Sequence, residues 1–98
     1  MKLHTKGWLL VRLAEGGAAW DSELADAARA EYGPGTALGG ICLALEELAS
    51  GGLVQRLSER LLPGALQTPR LSFRYTLTRF GMQRMRDTGL ASTTEKMQ

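Results

Sequence analysis

Seven arginines, Arg56, Arg60, Arg70, Arg74, Arg79, Arg84 and Arg86, stand between residues 53 and 90 against two acids, Glu59 and Asp87. A guanidinium is a rigid fork of donors that matches phosphate and carboxylate oxygens. Residues 1–52 carry the reverse balance, with Lys2, Lys6, Arg12 and Arg29 against seven acids. The 98-residue chain is therefore only +2 overall, but it is polarised. Its second half suits an anionic partner such as nucleic acid. Scattered arginines also serve as plain solvated charge, so their chemistry depends on whether the fold lines them up.

Other chemistry has little foothold. No nucleophile stands near a base, and no phosphate loop or metal-ligand spacing occurs. His4 is the single histidine and has no second ligand near it. Cys42 is the single cysteine. It falls on an apolar stripe, where it reads as a small core residue and not as a redox thiol. We expect no enzyme, no cofactor and no metal. A lone cysteine also excludes an internal disulfide and fits a reducing compartment. The N-terminal MKLHTKGWLLVRLAEGG is interrupted by Arg12 and Glu15, has no clear cleavage site, and reads as mature protein. No apolar run reaches the roughly 18 residues of a membrane span. The expectation is a cytoplasmic protein of bacterial or phage type, associated with the nucleoid when bound.

The elements that must position the arginines follow from periodicity. Residues 5–15 read as a helix dense in Trp8, Leu9, Leu10, Val11 and Leu13, central in the core or part of a subunit interface. Gly16-Gly17 ends it, and Ala18-Ala19-Trp20 reads as a link. Asp21 is a suitable N-cap for a second helix to about Tyr32, with Leu24, Ala28 and Tyr32 on one stripe. Trp20, just before that cap, is placed to close onto the first turn. Gly33-Pro34-Gly35 breaks the chain. A third helix over 36–50 carries Leu38, Ile41, Cys42, Leu45, Leu48 and Ala49 on one face, and Gly51-Gly52 stops it. Residues 53–60 read as a strand, with Leu53 and Leu57 on one side and Val54, Arg56, Ser58 and Arg60 on the other. A second strand, Arg70–Leu77, alternates Phe73, Tyr75 and Leu77 against Ser72, Arg74 and Thr76. The connection over 61–69 is stiff and partly apolar, and longer than a tight turn. At Thr78 the period becomes helical, with Phe80, Met82 and Met85 as apolar positions. The Thr78 hydroxyl can cap this last helix, which runs to about Gly89. Residues 92–98 read as a frayed tail, leaving one domain over 1–91.

Helix, helix, helix, strand, loop, strand, helix is an α+β winged helix-turn-helix order: three helices, a two-stranded wing and a C-terminal helix. LALEELASGGLVQRLSE followed by FRYTLTRFG resembles the core of PadR-like transcriptional regulators, within the wider MarR-like group. The matching positions are Leu45, Leu48, Gly52, Leu53, Val54, Tyr75, Leu77, Thr78 and Gly81, and the resemblance covers residues 36–86. It implies a dimeric regulator whose third helix enters the DNA major groove while the wing touches the backbone. Within this scheme the Leu77–Gly81 corner is scaffold, with Gly81 permitting close packing against the hairpin.

The third helix departs from that pattern. Opposite its apolar face it presents Thr36, Gly39, Gly40, Leu43, Glu46 and Glu47, and none of the Arg, Lys, Asn or Gln that usually read base edges. Thr36, Gly39 and Gly40 could bring backbone N–H groups close to phosphate. Specificity would then rest on the wing or on DNA shape. On alternation Arg56 and Arg60 share a face, and with Arg70 and Arg74 they can converge on a phosphate track. The candidate DNA-binding set is therefore Thr36, Gly39, Gly40, Leu43, Arg56, Arg60, Arg70 and Arg74. The expected function is a small DNA-binding transcriptional regulator, a repressor acting on double-stranded DNA as a homodimer. The alternative is a winged-helix interaction module that meets a protein through the Leu43 face and does not read DNA.

Overall fold

The computed structural model describes residues 4–63 and 69–90. Most of the expected wing tip and the expected tail over 92–98 lie outside the described residues. Within them the chain runs α1 (Thr5–Gly16), β1 (Ala19–Trp20), α2 (Asp21–Tyr32), α3 (Leu38–Ser50), β2 (Val54–Leu62), β3 (Arg70–Leu77) and α4 (Arg79–Thr88). The α+β class and the element order match the expectation. The strand count does not. Ala19–Trp20, read as a link, pairs antiparallel with β3, so the sheet has three strands in the order β1-β3-β2. Two residues are too few to show a period, which is why this strand left no trace in the pattern.

The core is built from the apolar stripes of α1, α2 and α3 against the base of the sheet. Leu9 and Leu13, Leu24 and Ala28, Ile41, Leu45 and Leu48, Val54, Tyr75 and Met85 are all buried in it. The leucines of α1 are thus used within the chain, and an interface role for them is set aside. Trp8 sits at the edge of the core and meets Tyr32 edge-on, with ring centroids 6.0 Å apart. Helix α3 begins at Leu38 behind Ala37. Thr36 therefore precedes the helix, where its N–H bonds the Gly33 carbonyl at 3.2 Å.

The corner after β3 is built as its residue types suggest. The Thr78 hydroxyl accepts from the Gly81 N–H at 2.9 Å and donates back to the Gly52 carbonyl at 2.6 Å. Gly81 is buried against Leu53. Phe80 departs from the expected apolar face. It is 54% exposed and lies beside Gly52 at the start of α4.

The hairpin contains one irregularity that decides where the arginines go. Arg56 opposes Tyr75, but Ser58 opposes Arg74, so Leu57 is an extra residue on β2. Such a bulge reverses the alternation beyond it. Residues directly opposed in an antiparallel pair share a face. One face therefore carries Val54, Arg56, Glu59 and Leu61 with Leu77, Tyr75, Phe73 and Leu71. The other carries Gln55, Ser58, Arg60 and Leu62 with Thr76, Arg74, Ser72 and Arg70. The expectation that Arg56 and Arg60 share a face is corrected: they lie on opposite faces. So is the division that put Leu53 with Leu57 and Val54 with Ser58: Leu53 packs against the core while Leu57 is the exposed extra residue, and Ser58 lies on the face opposite Val54.

Candidate nucleic-acid interface

The outward face of α3 is as read from its period. Gly39, Gly40, Leu43, Glu46 and Glu47 are exposed, and Leu43 is 58% exposed. Nothing lies within 4 Å of a Cβ built on Gly39 or Gly40, so the backbone there is open to close approach. The two carboxylates do not stand alone. Glu47 accepts from Lys6 of α1 at 2.8 Å, and Glu46 lies 3.9 Å from Arg56 of β2. Both pairs are exposed, and each contributes little to stability. What they do is offset the acidity of a face that a polyanion would have to approach.

The wing arginines separate into three environments. Arg56 stacks on Phe73, its guanidinium carbon 3.7 Å from the ring centroid, and donates to the Tyr75 hydroxyl at 3.4 Å. That hydrogen bond, ahead of the carboxylates nearby, holds its pKa above the ordinary arginine value. Arg70 is only partly exposed and lies 3.7 Å from the buried carboxylate of Asp21. Its primary partner is inside the protein. The Arg60 guanidinium carbon lies 3.9 Å from the Trp20 ring centroid, a cation–π contact that steadies the side chain while leaving guanidinium donors for another partner. Arg74, opposite Trp20 on the same face, is exposed. Among the described residues neither Arg60 nor Arg74 has a carboxylate partner. The proposed convergence of four arginines is thus reduced to a pair, Arg60 and Arg74, backed by Trp20. No pattern in the sequence signalled the Trp20–Arg60 stack, because it depends on the bulge and on β1.

Asp21 is the residue that sequence reasoning misplaced. It does not cap α2. That position is Trp20, whose N–H is accepted by the Glu23 carboxylate at 3.0 Å. Asp21 is 1% exposed and sits where β1 gives way to α2. Its carboxylate accepts from the Ser72 hydroxyl at 2.6 Å and the Phe73 N–H at 3.2 Å, and the Cys42 thiol points at it from 3.7 Å. The strand β1 ends one residue short of Phe73, and the Asp21 side chain takes over the ladder there. It thereby ties α2, α3 and the wing together.

Burial, and after it the Asp21 charge, push the Cys42 thiol above its usual range. A raised pKa leaves less thiolate at neutral pH. Alkylation of Cys42 by iodoacetamide at pH 7.5 should therefore be slower in the folded protein than in urea by about tenfold or more. Equal rates in the two states would show that the thiol is neither covered nor held by Asp21.

The comparisons with known proteins give a likeness of fold. No protein-family profile matches the chain, and no curated protein matches its sequence. A solved structure does match: the Thermoplasma acidophilum protein TA0346, described as a candidate transcriptional regulator, superposes with a TM-score of 0.62 over 95% of this chain and 84% of that one, at 16% identity. At that identity the likeness shows that the two chains share a fold. Among the described residues no helix is long and apolar enough to cross a membrane. An α+β fold of four helices and a three-stranded antiparallel sheet, shared with TA0346 and carrying an arginine-bearing hairpin after α3, is what the geometry and the comparisons together show.

Proposed function

We propose that this protein is a DNA-binding transcriptional regulator of the winged-helix kind, as its resemblance to PadR-like proteins suggests. Helix α3 lies in the major groove by close backbone approach at Thr36, Gly39 and Gly40, with Leu43 as its apolar contact. Arg60 and Arg74 hold the phosphate backbone. Arg56 and Arg70 act indirectly, by holding Glu46 and Asp21 and so fixing the wing. Repression follows from occlusion of a promoter by a homodimer. The observation that supports this reading best is the outward face of α3, poor in side chains, with both of its carboxylates held by cations. The wing that follows it carries, on the face opposite Arg56, two arginines that no carboxylate engages among the described residues.

Duplex binding is expected to be micromolar and steeply salt-dependent, read by fluorescence anisotropy on an unrelated duplex of about 25–30 bp at several salt concentrations. Arg60→Ala with Arg74→Ala should weaken it about tenfold on any sequence and lower the salt slope by about two. An unchanged slope in that double variant removes the wing from the interface. No binding by the wild type at low salt removes DNA altogether.

One observation favours a second reading, docking of a protein. Leu57, Leu61 and Leu71 are exposed on the wing, in addition to Leu43 on α3. Under that reading Leu43→Asp abolishes association with the partner and leaves anisotropy with DNA unchanged.

A further inference from the structure

The two edges of the sheet are finished differently. Beyond β1, the outer edge of β3 is capped by side chains. The Asp21 carboxylate accepts from the Phe73 N–H at 3.2 Å, and the Arg70 guanidinium donates to the Leu71 carbonyl at 3.1 Å. The opposite edge is β2. It is exposed from Gln55 to Leu61, and among the described residues no backbone group there bonds outside the hairpin. Such a row of unpaired N–H and C=O groups is a template for another strand.

The bulge gives this edge a symmetry. Alternate residues of an antiparallel strand present their backbone groups to opposite edges. Phe73 presents its N–H away from β2, so Glu59, opposite it, presents its own away from β3. Leu61 does the same and, across the bulge, so does Arg56. Val54, Arg56, Glu59 and Leu61 also share one face. These positions mirror one another about the Leu57–Ser58 peptide: Arg56 with Glu59, Val54 with Leu61. A second copy turned about that point therefore meets the first with backbone groups opposed, faces matched and charges opposite. Without the bulge, Arg56 would share its face with Arg60, and symmetric pairing about Ser58 would set like charges together. Glu59 has no ion-pair partner among the described residues.

We propose that β2 is the surface through which two copies of this chain pair, antiparallel about a two-fold axis at the Leu57–Ser58 peptide. Arg56 of each copy lies opposite Glu59 of the other. The exposed Leu61 comes beside Val54, and Leu62 and Pro63 run past Leu53 and Gly52, where the exposed Phe80 ring lies. The two three-stranded sheets become one of six strands. Arg60 and Arg74 of both copies then lie on one continuous face, so pairing doubles the basic surface offered to a polyanion. This rests on the homodimer in the reading above and supplies its interface. It does not depend on DNA.

The test is sedimentation equilibrium of the full-length protein over a dilution series. Wild type should be a reversible dimer. Arg56→Glu and Glu59→Arg each set like charges opposite one another twice, and each alone should raise the dissociation constant about tenfold or more. Mixed in equal amounts, the two variants should dimerise as wild type does, because each supplies the charge the other lacks. A dimer that neither variant weakens overturns the β2 interface and leaves the homodimer standing. Weakened variants that mixing does not restore overturn it as well, since the pairing of Arg56 with Glu59 is then wrong. A wild type that is monomeric throughout overturns both the interface and the homodimer, while the anisotropy experiment still decides DNA binding. Should either variant fail to fold, amide exchange in wild type decides. Exchange at Arg56, Glu59 and Leu61 should slow as protein concentration rises, and exchange independent of concentration overturns the proposal.

Discussion

Gly81→Ala is expected to lower stability by about 4 kcal/mol and the melting temperature by about 15–30 °C. The added Cβ would stand 2.1 Å from the Leu53 carbonyl oxygen and 2.9 Å from the Leu77 side chain. The first contact is the serious one, because a backbone oxygen cannot rotate away as a side chain can. To admit the methyl group, α4 must move off the loop that leads into β2. That motion breaks the Thr78 bonds to Gly52 and Leu53 and the Thr78 N–H bond to Leu53 at 3.1 Å. A domain of this size has about 5–15 kcal/mol in total, so the variant should be near the threshold of folding. The control is the same chemical change on α3. Gly39 is exposed, helical and has open space around it. Gly39→Ala should therefore stabilise the protein by up to about 1 kcal/mol through helix propensity. Thermal melts of the two variants should move in opposite directions. A Gly81→Ala melt within about 3 °C of wild type would mean that the α4 corner yields without cost. Gly39→Ala also carries functional information. If the backbone of α3 approaches DNA closely, the more stable protein should be the weaker binder.

How much of this was legible in the sequence depended on how local each cause was. The α3 face was legible because helical period is set within a few residues, and Gly39, Gly40, Leu43, Glu46 and Glu47 are exposed as that period requires. The Thr78 cap and the Gly81 approach were legible because they sit at a change of period, within one turn of each other. The wing arginines were only half legible. Their types and number were plain, but which face each one takes depends on the bulge at Leu57, and a bulge is a property of the pairing between two strands. Alternation applied to β2 alone put Arg60 on the wrong side. Phe80 fits an apolar helical stripe and is nonetheless exposed, because α4 packs mainly through Gly81 and Met85, the buried residues of that helix. Asp21 was illegible for a different reason. An aspartate before a helix is equally apt as a cap and as a buried acceptor, and its chief partner, Ser72, is 51 positions away.

Asp21→Ala is expected to cost about 3–5 kcal/mol, measured by equilibrium urea unfolding. The substitution strands three groups at once. The Ser72 hydroxyl is fully buried and has no other partner among the described hydrogen bonds. The Phe73 N–H lies where β1 has already turned into α2, so no strand carbonyl replaces the lost acceptor. Arg70 loses the carboxylate 3.7 Å away, though its partial exposure lets water compensate. Most of the cost therefore belongs to Ser72 and Phe73, at about 1–3 kcal/mol for each stranded donor. That division can be measured. Ser72→Ala alone leaves the carboxylate bonded to Phe73 and near Arg70, and should cost only about 1 kcal/mol. The double variant should then cost less than the sum of the two, by a coupling of about 1–2 kcal/mol. Amide exchange at Phe73 should accelerate in Asp21→Ala and stay near wild type in Ser72→Ala. Additive costs in the double variant would mean that the two side chains act separately and that Asp21 stabilises the fold through β3 backbone alone. The consequence reaches the interface. The Asp21 carboxylate is the polar contact that spans α2, the Cys42 position of α3 and the wing strand. A variant that folds without it should hold Arg60 and Arg74 less firmly relative to α3. Asp21→Asn, the milder change, is the one in which to look for that effect: duplex affinity should fall while the salt slope, which counts phosphates contacted, stays the same.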